Sequence, residues 1–174
     1  MMLRQGDIGA IQGTLKEQWL NSLIDPKTDR WHHFLIGEPT EDGDWEILES
    51  GPQGVRMGRL SWYDGYNIKF YRYSDPEIAR KSTLTASLFG RAEYNYIVYA
   101  ALLWQAIKYW IRNGFRPVNY TLFKEKLGRN LICTELVCVS YAKAGALLVP
   151  YNVVPTPAAI YATLNLGILR EVIK

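Results

Sequence analysis

Histidine is scarce in this sequence, with two residues in 174, adjacent at 32 and 33. Cysteine is equally scarce, at Cys133 and Cys138. Two cysteines five residues apart on one helix are rotated away from each other and separated by about 7.5 Å along the axis. A disulfide needs Cα atoms within about 7 Å and converging Cβ vectors, so this pair is poorly placed for one. Two free thiols suggest a reducing interior or a catalytic role. Neither the adjacent histidines nor the paired cysteines match a usual zinc-ligand spacing, and no metal or other cofactor is expected.

Charge of one sign is also missing. The formal net charge is +3, with Lys and Arg spread along the chain, which gives little support for nucleic acid binding. The N-terminal MMLRQGDIGAIQG is too polar for a secretory signal. The expected location is therefore the cytoplasm, or a destination reached without a signal peptide. The most apolar run, YIVYAALLWQAI from Tyr96 to Ile107, falls well short of the roughly 20 residues a membrane span needs. It reads as a core-packed helix rather than an integral membrane segment, with a membrane-surface helix as the lesser alternative. GDIGAIQG lacks the lysine and the glycine spacing of a phosphate-binding loop. No repeat, linker or low-complexity run divides the chain, so residues 1–174 are expected to form one domain.

What is present suits a folded core. Apolar residues make up 48% and charged residues 21%, close to globular averages. Residues 6–12, 30–37 and 45–50 read as strands. The stretches VRMGRLSWY (55–63) and YNIKFYRYS (66–74) alternate as further strands, with turns at 25–29, 38–44 and 51–54. Residues 14–24 suit a short helix or an ordered loop. Helices are predicted over 75–90, with Pro76 in the first turn and Gly90 as C-cap, over about 93–112, over 131–145, and over 156–164. Residues 147–154 are expected to return to the sheet. Strands followed by helices give an α+β domain. The 12 tyrosines and 6 tryptophans fit ordinary core and rim packing better than a dedicated substrate groove.

A thiol becomes a strong nucleophile when a helix N-terminus and a nearby base lower its pKa. Cys133 falls near the start of its predicted helix, where Asn130 is the expected cap, whereas Cys138 reads as packing. Taken alone, Cys133 suits a small buried side chain better than a nucleophile. The base must be His32 or His33, and on a strand the two point to opposite faces, so only one is expected to meet the sulfur. A carboxylate on the neighbouring strand WEILES would orient the imidazole: Glu49 first, Glu46 second.

These segments occur in a particular order: GDI, WHHFLIG, ESGPQGV, GRAEYNY and CTELV. The set resembles the circularly permuted, YiiX-like branch of the NlpC-type papain-like cysteine hydrolases, in which the histidine precedes the cysteine. The resemblance runs from Gly6 to about Ile160. It implies a permuted papain-like fold, an antiparallel half-barrel packed against helices. It also implies Cys133 as nucleophile, His33 as base, Glu49 as the polar third residue, and Tyr94, with Tyr96 as a weaker match, lining the substrate site. The implied activity is amide hydrolysis through an acyl-enzyme, on peptide or acyl-amide substrates such as cell-wall fragments. Reaching a cell wall without a signal would require a phage particle or a secretion machine. Two alternatives stand beside this reading: a lipid-directed thiol acyltransferase or deacylase, and a non-catalytic structural or binding module with the same fold.

Overall fold

The first half of the chain alternates β-branched and aromatic residues with polar ones, which is the pattern of half-buried strands. In the computed structural model it forms five strands: β1 Ile8–Gln12, β2 Arg30–Pro39, β3 Trp45–Gly51, β4 Gly54–Arg59 and β5 Ile68–Tyr73. Among the described residues, three bounded helices follow, α1 Pro76–Leu88, α2 Cys133–Ala144 and α3 Pro157–Asn165, and then strand β6 Leu169–Val172. The structure describes residues 2–13, 30–90, 132–150, 155–165 and 167–172, together with the helical residues Trp104, Ile107, Lys108, Ile111 and Arg112. The predictions for 14–24 and for most of 93–112 lie outside the described residues.

The six strands make one open antiparallel sheet in the order β4-β3-β2-β1-β5-β6. The α+β class is as expected. Two local expectations need correction. β4 stops at Arg59 and the chain tightens into a 3-10 turn, Leu60–Tyr63, where a strand running to residue 63 was predicted. Residues 147–150 contain no strand, and the rest of that expectation, 151–154, lies outside the described residues. The edge of the sheet beside β5 is instead covered by β6, whose four residues were too short a signal to be read. Among the described residues, no helix is long and apolar enough to cross a membrane.

Alternation along the strands sorts the core into two layers. Ile8, Ala10, Leu35, Leu48 and Tyr71 pack against Leu136, Val137, Cys138 and Tyr141 of α2 and against residues of α1 and α3. Ile11, Phe34, Ile36, Ile47 and Phe70 form the opposite layer, closed by Trp45, Leu60 and Tyr63. Each fully buried Leu or Ile contributes about 1.5–3 kcal/mol. Two register shifts bend β2. One lies between the pairs Ile11↔His32 and Gln12↔Arg30, so β2 carries an extra residue immediately before His32. The other lies between Ile36 and Pro39.

The N-terminal GDI segment is a structural joint. Asp7 is buried and takes a two-point contact from Arg72, Nε at 2.8 Å and Nη2 at 2.6 Å. The Tyr141 hydroxyl donates to the Gly6 carbonyl at 2.7 Å, tying α2 to the start of β1. Gly6 has φ +88°, and a Cβ there would lie 2.3 Å from the Ala79 carbonyl oxygen of α1. Gly65 has a similar φ, +85°, but faces open space. Both Gly6→Ala and Gly65→Ala should incur the roughly 1–3 kcal/mol strain of a left-handed non-glycine residue. Only Gly6→Ala adds a backbone clash. Urea unfolding should therefore show Gly6→Ala to be the more destabilising by at least about 1 kcal/mol. Equal midpoints would mean that the α1 contact is not tight.

Candidate active site

The site begins at the first turn of α2. Cys133 is the first helical residue, after Ile132 as N-cap in extended conformation. Ile132 offers no capping side chain, and Asn130, the expected cap, lies outside the described residues. The Glu135 carboxylate instead reaches back to the Ile132 N–H at 2.9 Å. The N–H groups of a first turn have no intrahelical acceptors and carry the positive end of the helix dipole, so the Cys133 sulfur stands in an electropositive environment.

The imidazole that Glu49 orients is His32. Its Nε2 lies 2.7 Å from Glu49 Oε2, and Glu49 is buried, with 1% of its side chain exposed. Since Nε2 is committed to the carboxylate, Nδ1 is the nitrogen left for the thiol. This corrects the pairing of His33 with Glu49. His33 belongs to the helix-facing side of β2, with Leu35, and is completely buried. Neither of its ring nitrogens has a hydrogen-bond partner among the described residues. His32 belongs to the opposite side, with Phe34 and Glu49.

Electrostatics tie the sulfur to these rings. Burial pushes the Cys133 thiol up, but hydrogen bonding to His32, then to His33, and the charges of the two rings outweigh it, so the thiol titrates well below the ordinary range. Of the two rings, His32 has the larger lowering effect on the thiol. A bulge increases twist and re-aims its neighbours, and the one directly before His32 accounts for a residue of the outer face reaching the sulfur. Burial lowers His32, yet hydrogen bonding to Cys133 and to Glu49, with their charges, raises it above an ordinary imidazole. Cys138 shifts the other way: burial, with the charges of Glu135 and Cys133, raises it. The two thiols are thus opposites, one primed and one inert.

Two residues of the site were not foreseen. Arg56 on β4 donates to Glu49 Oε1 from Nε at 2.7 Å, with Nη2 at 2.6 Å. The Tyr63 hydroxyl donates to Glu49 Oε2 in a short hydrogen bond. Tyr63 lies flat on Phe34, with ring centroids 5.6 Å apart. Phe34 in turn lies across Gly9 of β1, where a Cβ would stand 2.2 Å from the ring. Arg56 was legible in principle. The 51–54 turn brings Gly51 opposite Gly54, which places Glu49 opposite Arg56. Tyr63 depends on the 3-10 turn and gave no such signal. Glu46 pairs with Arg59 near the far end of the hairpin and takes no part. Tyr94 and Tyr96 lie outside the described residues.

Burial pushes Glu49 up, but the hydrogen bond and charge of His32, then the hydrogen bonds from Tyr63 and Arg56, bring it down from 4.5 to about 2. A carboxyl depressed on folding contributes stability that is present above its unfolded pKa and is lost as pH falls through the folded value. Stability of the wild type should therefore fall between about pH 4.5 and 2 as Glu49 takes up its proton. Glu49→Gln should flatten that part of a pH–unfolding curve. An unchanged acid limb in the variant would mean that Glu49 is not held as described.

No protein-family model and no curated protein matches the sequence. The fold is similar to that of the metalloprotein YiiX from Escherichia coli O157:H7, with a TM-score of 0.56 and 14% identity over 100% of this chain and 98% of that one. At that identity the likeness is one of fold, and at that level the resemblance to YiiX-like proteins is met. Among the described residues, no group of three or more His, Cys, Asp or Glu side chains is placed to hold a metal ion. His32 Nε2, a natural metal ligand, is already engaged by Glu49.

The thiol chemistry has a direct readout. At about pH 6.5 an ordinary thiol of pKa about 8.5 is only about 1% ionised. Iodoacetamide at that pH should label Cys133 at least about tenfold faster than Cys138, as judged by peptide mass spectrometry. The thiolate of Cys133 is present above its lowered pKa and is lost as pH falls through it. His32→Ala should move that limb upward, towards the ordinary thiol range. Slow, equal labelling of both cysteines would contradict a primed Cys133.

Proposed function

We propose that this chain is a cysteine hydrolase of permuted papain-like fold, cleaving an amide bond through an acyl-enzyme on Cys133. The observation that carries the reading is the relay from the first turn of α2 to β2 and β3: a thiol drawn down by His32, whose other nitrogen is held 2.7 Å from the buried Glu49. The fold likeness to YiiX supports it only at the level of architecture. The base in this proposal is His32.

The proton accounting is simple. Cys133 transfers its proton to His32 Nδ1, giving a thiolate and an imidazolium that Glu49 steadies. The thiolate attacks the carbonyl carbon, and the backbone N–H of Cys133, free of an intrahelical acceptor, faces the developing oxyanion. The imidazolium returns its proton to the leaving amine, which departs and leaves a thioester. His32 then takes a proton from water as the hydroxide attacks that thioester. Collapse of the second tetrahedral intermediate expels the thiolate, and the acid product leaves. The substrate class follows from the chemistry as an amide with a separable acyl portion, for which peptides of the bacterial cell wall are one source.

The test uses p-nitroanilide and p-nitrophenyl acyl substrates with mass spectrometry of the quenched protein. Wild type should release the chromophore and carry the acyl mass on Cys133, and Cys133→Ala should do neither. Loss of a member of such a relay typically costs about 10³-fold or more in kcat. His32→Ala should fall by that order, while His33→Ala should retain distinctly more activity. The opposite ranking of the two histidines would overturn the assignment of the base. Absence of any acyl adduct, together with an unreactive Cys133, would favour a non-catalytic module.

A further inference from the structure

Glu49 divides its two oxygens. Oε2 faces His32 Nε2 at 2.7 Å and receives the Tyr63 hydroxyl. Oε1 is taken by Arg56, from Nε at 2.7 Å and with Nη2 at 2.6 Å. The guanidinium has two further seats. Its Nη1 donates to Gln53 Oε1 at 2.8 Å, and its carbon lies 5.1 Å from the centroid of the Trp62 ring. Arg56 is thus pinned at three points while its side chain stays 39% exposed, although the carboxylate it grips is 1% exposed. A planar guanidinium gripping a carboxylate fixes the orientation of that carboxylate as well as its charge.

We propose that Arg56 is a positioning residue for the His32–Glu49 pair, holding one carboxylate oxygen so that the other is turned to the imidazole, and offsetting the carboxylate's charge. The role rests on His32 being the base of the proposed reaction. With Glu49 unopposed, the imidazolium would be stabilised too strongly and would give up its proton to the leaving amine reluctantly. With Arg56 in place, the carboxylate orients the ring without trapping its proton. Among the described residues, the ionisable groups around His32 are Cys133 on α2, Glu49 on β3, Tyr63 on the 3-10 turn and His33 on its own strand. Its opposite residue on β1 is the apolar Ile11. Among these groups Glu49 is the negative charge that Arg56 contacts directly.

Because the chain has only two histidines, NMR of the full protein labelled with 15N-histidine resolves both rings. His33→Gln assigns them. In Arg56→Gln, which removes the charge and keeps an amide donor, proton affinity at His32 should rise about tenfold, so its titration midpoint moves up by about one unit. Arg56→Lys keeps the positive charge and should stay close to wild type. Trp62→Leu loosens one seat of the guanidinium without touching Glu49, and should raise the midpoint by a smaller amount. A midpoint that is unchanged or lowered in Arg56→Gln, or that rises as far in Arg56→Lys, would overturn the proposal. This titration is read without turnover. An inactive protein whose His32 midpoint still responds to Arg56 would reject the hydrolase reading and keep the positioning role, and an active one whose midpoint does not respond would do the reverse.

Discussion

A carboxylate taken out of water must be surrounded by donors, and Glu49 is the group around which the site is organised. Its partners come from three separate elements: His32 from β2, Arg56 from β4 and Tyr63 from the 3-10 turn that follows. Leaving a buried charge unpaired costs several kcal/mol, so the strands that bring these donors together are constrained to one register. The register of β3 is therefore fixed twice, by its apolar pattern against the core and by one charged side chain pointing to the other layer. The ring of His32 inherits its orientation from that constraint, and the sulfur of Cys133 is primed by the ring.

The helix end and the sheet contribute differently. The first turn of α2 supplies an electropositive place for a thiolate and a backbone N–H beside it, both consequences of peptide geometry rather than of any particular side chain. The sheet supplies the imidazole and its carboxylate support. Joining the two depends on how α2 sits on the sheet, and that seat is set by Leu136, Val137 and Tyr141 in the core and by the Tyr141 hydroxyl on the Gly6 carbonyl. The Asp7–Arg72 pair holds the strand start on which this contact rests.

Much of this was legible in the sequence. The strand–helix order, a helix with Cys133 near its start and the choice of Glu49 over Glu46 followed from alternation, glycine punctuation and the reach of a cross-strand carboxylate. The choice between the two histidines did not. Strict alternation assigns them to opposite faces, and the sequence resemblance favoured His33. The extra residue that bends β2 just before His32 is invisible to a period-two pattern. Arg56 could have been found by counting back from the Pro52–Gln53 turn. Tyr63 could not, because the chain leaves the strand at Leu60 with no glycine or proline to mark the change. β6 was missed for its length.

Gly9 carries no reactive group and lies one strand away from the chemistry. Its missing side chain lets the Phe34 ring settle across β1, and that ring is the floor on which Tyr63 rests while its hydroxyl holds Glu49. The height of that floor is set by a hydrogen atom. Any larger group at Gly9 would lift the aromatic stack away from the carboxylate, so tolerance to mutation on this quiet strand is governed by the hydrogen bonds of Glu49 rather than by packing alone.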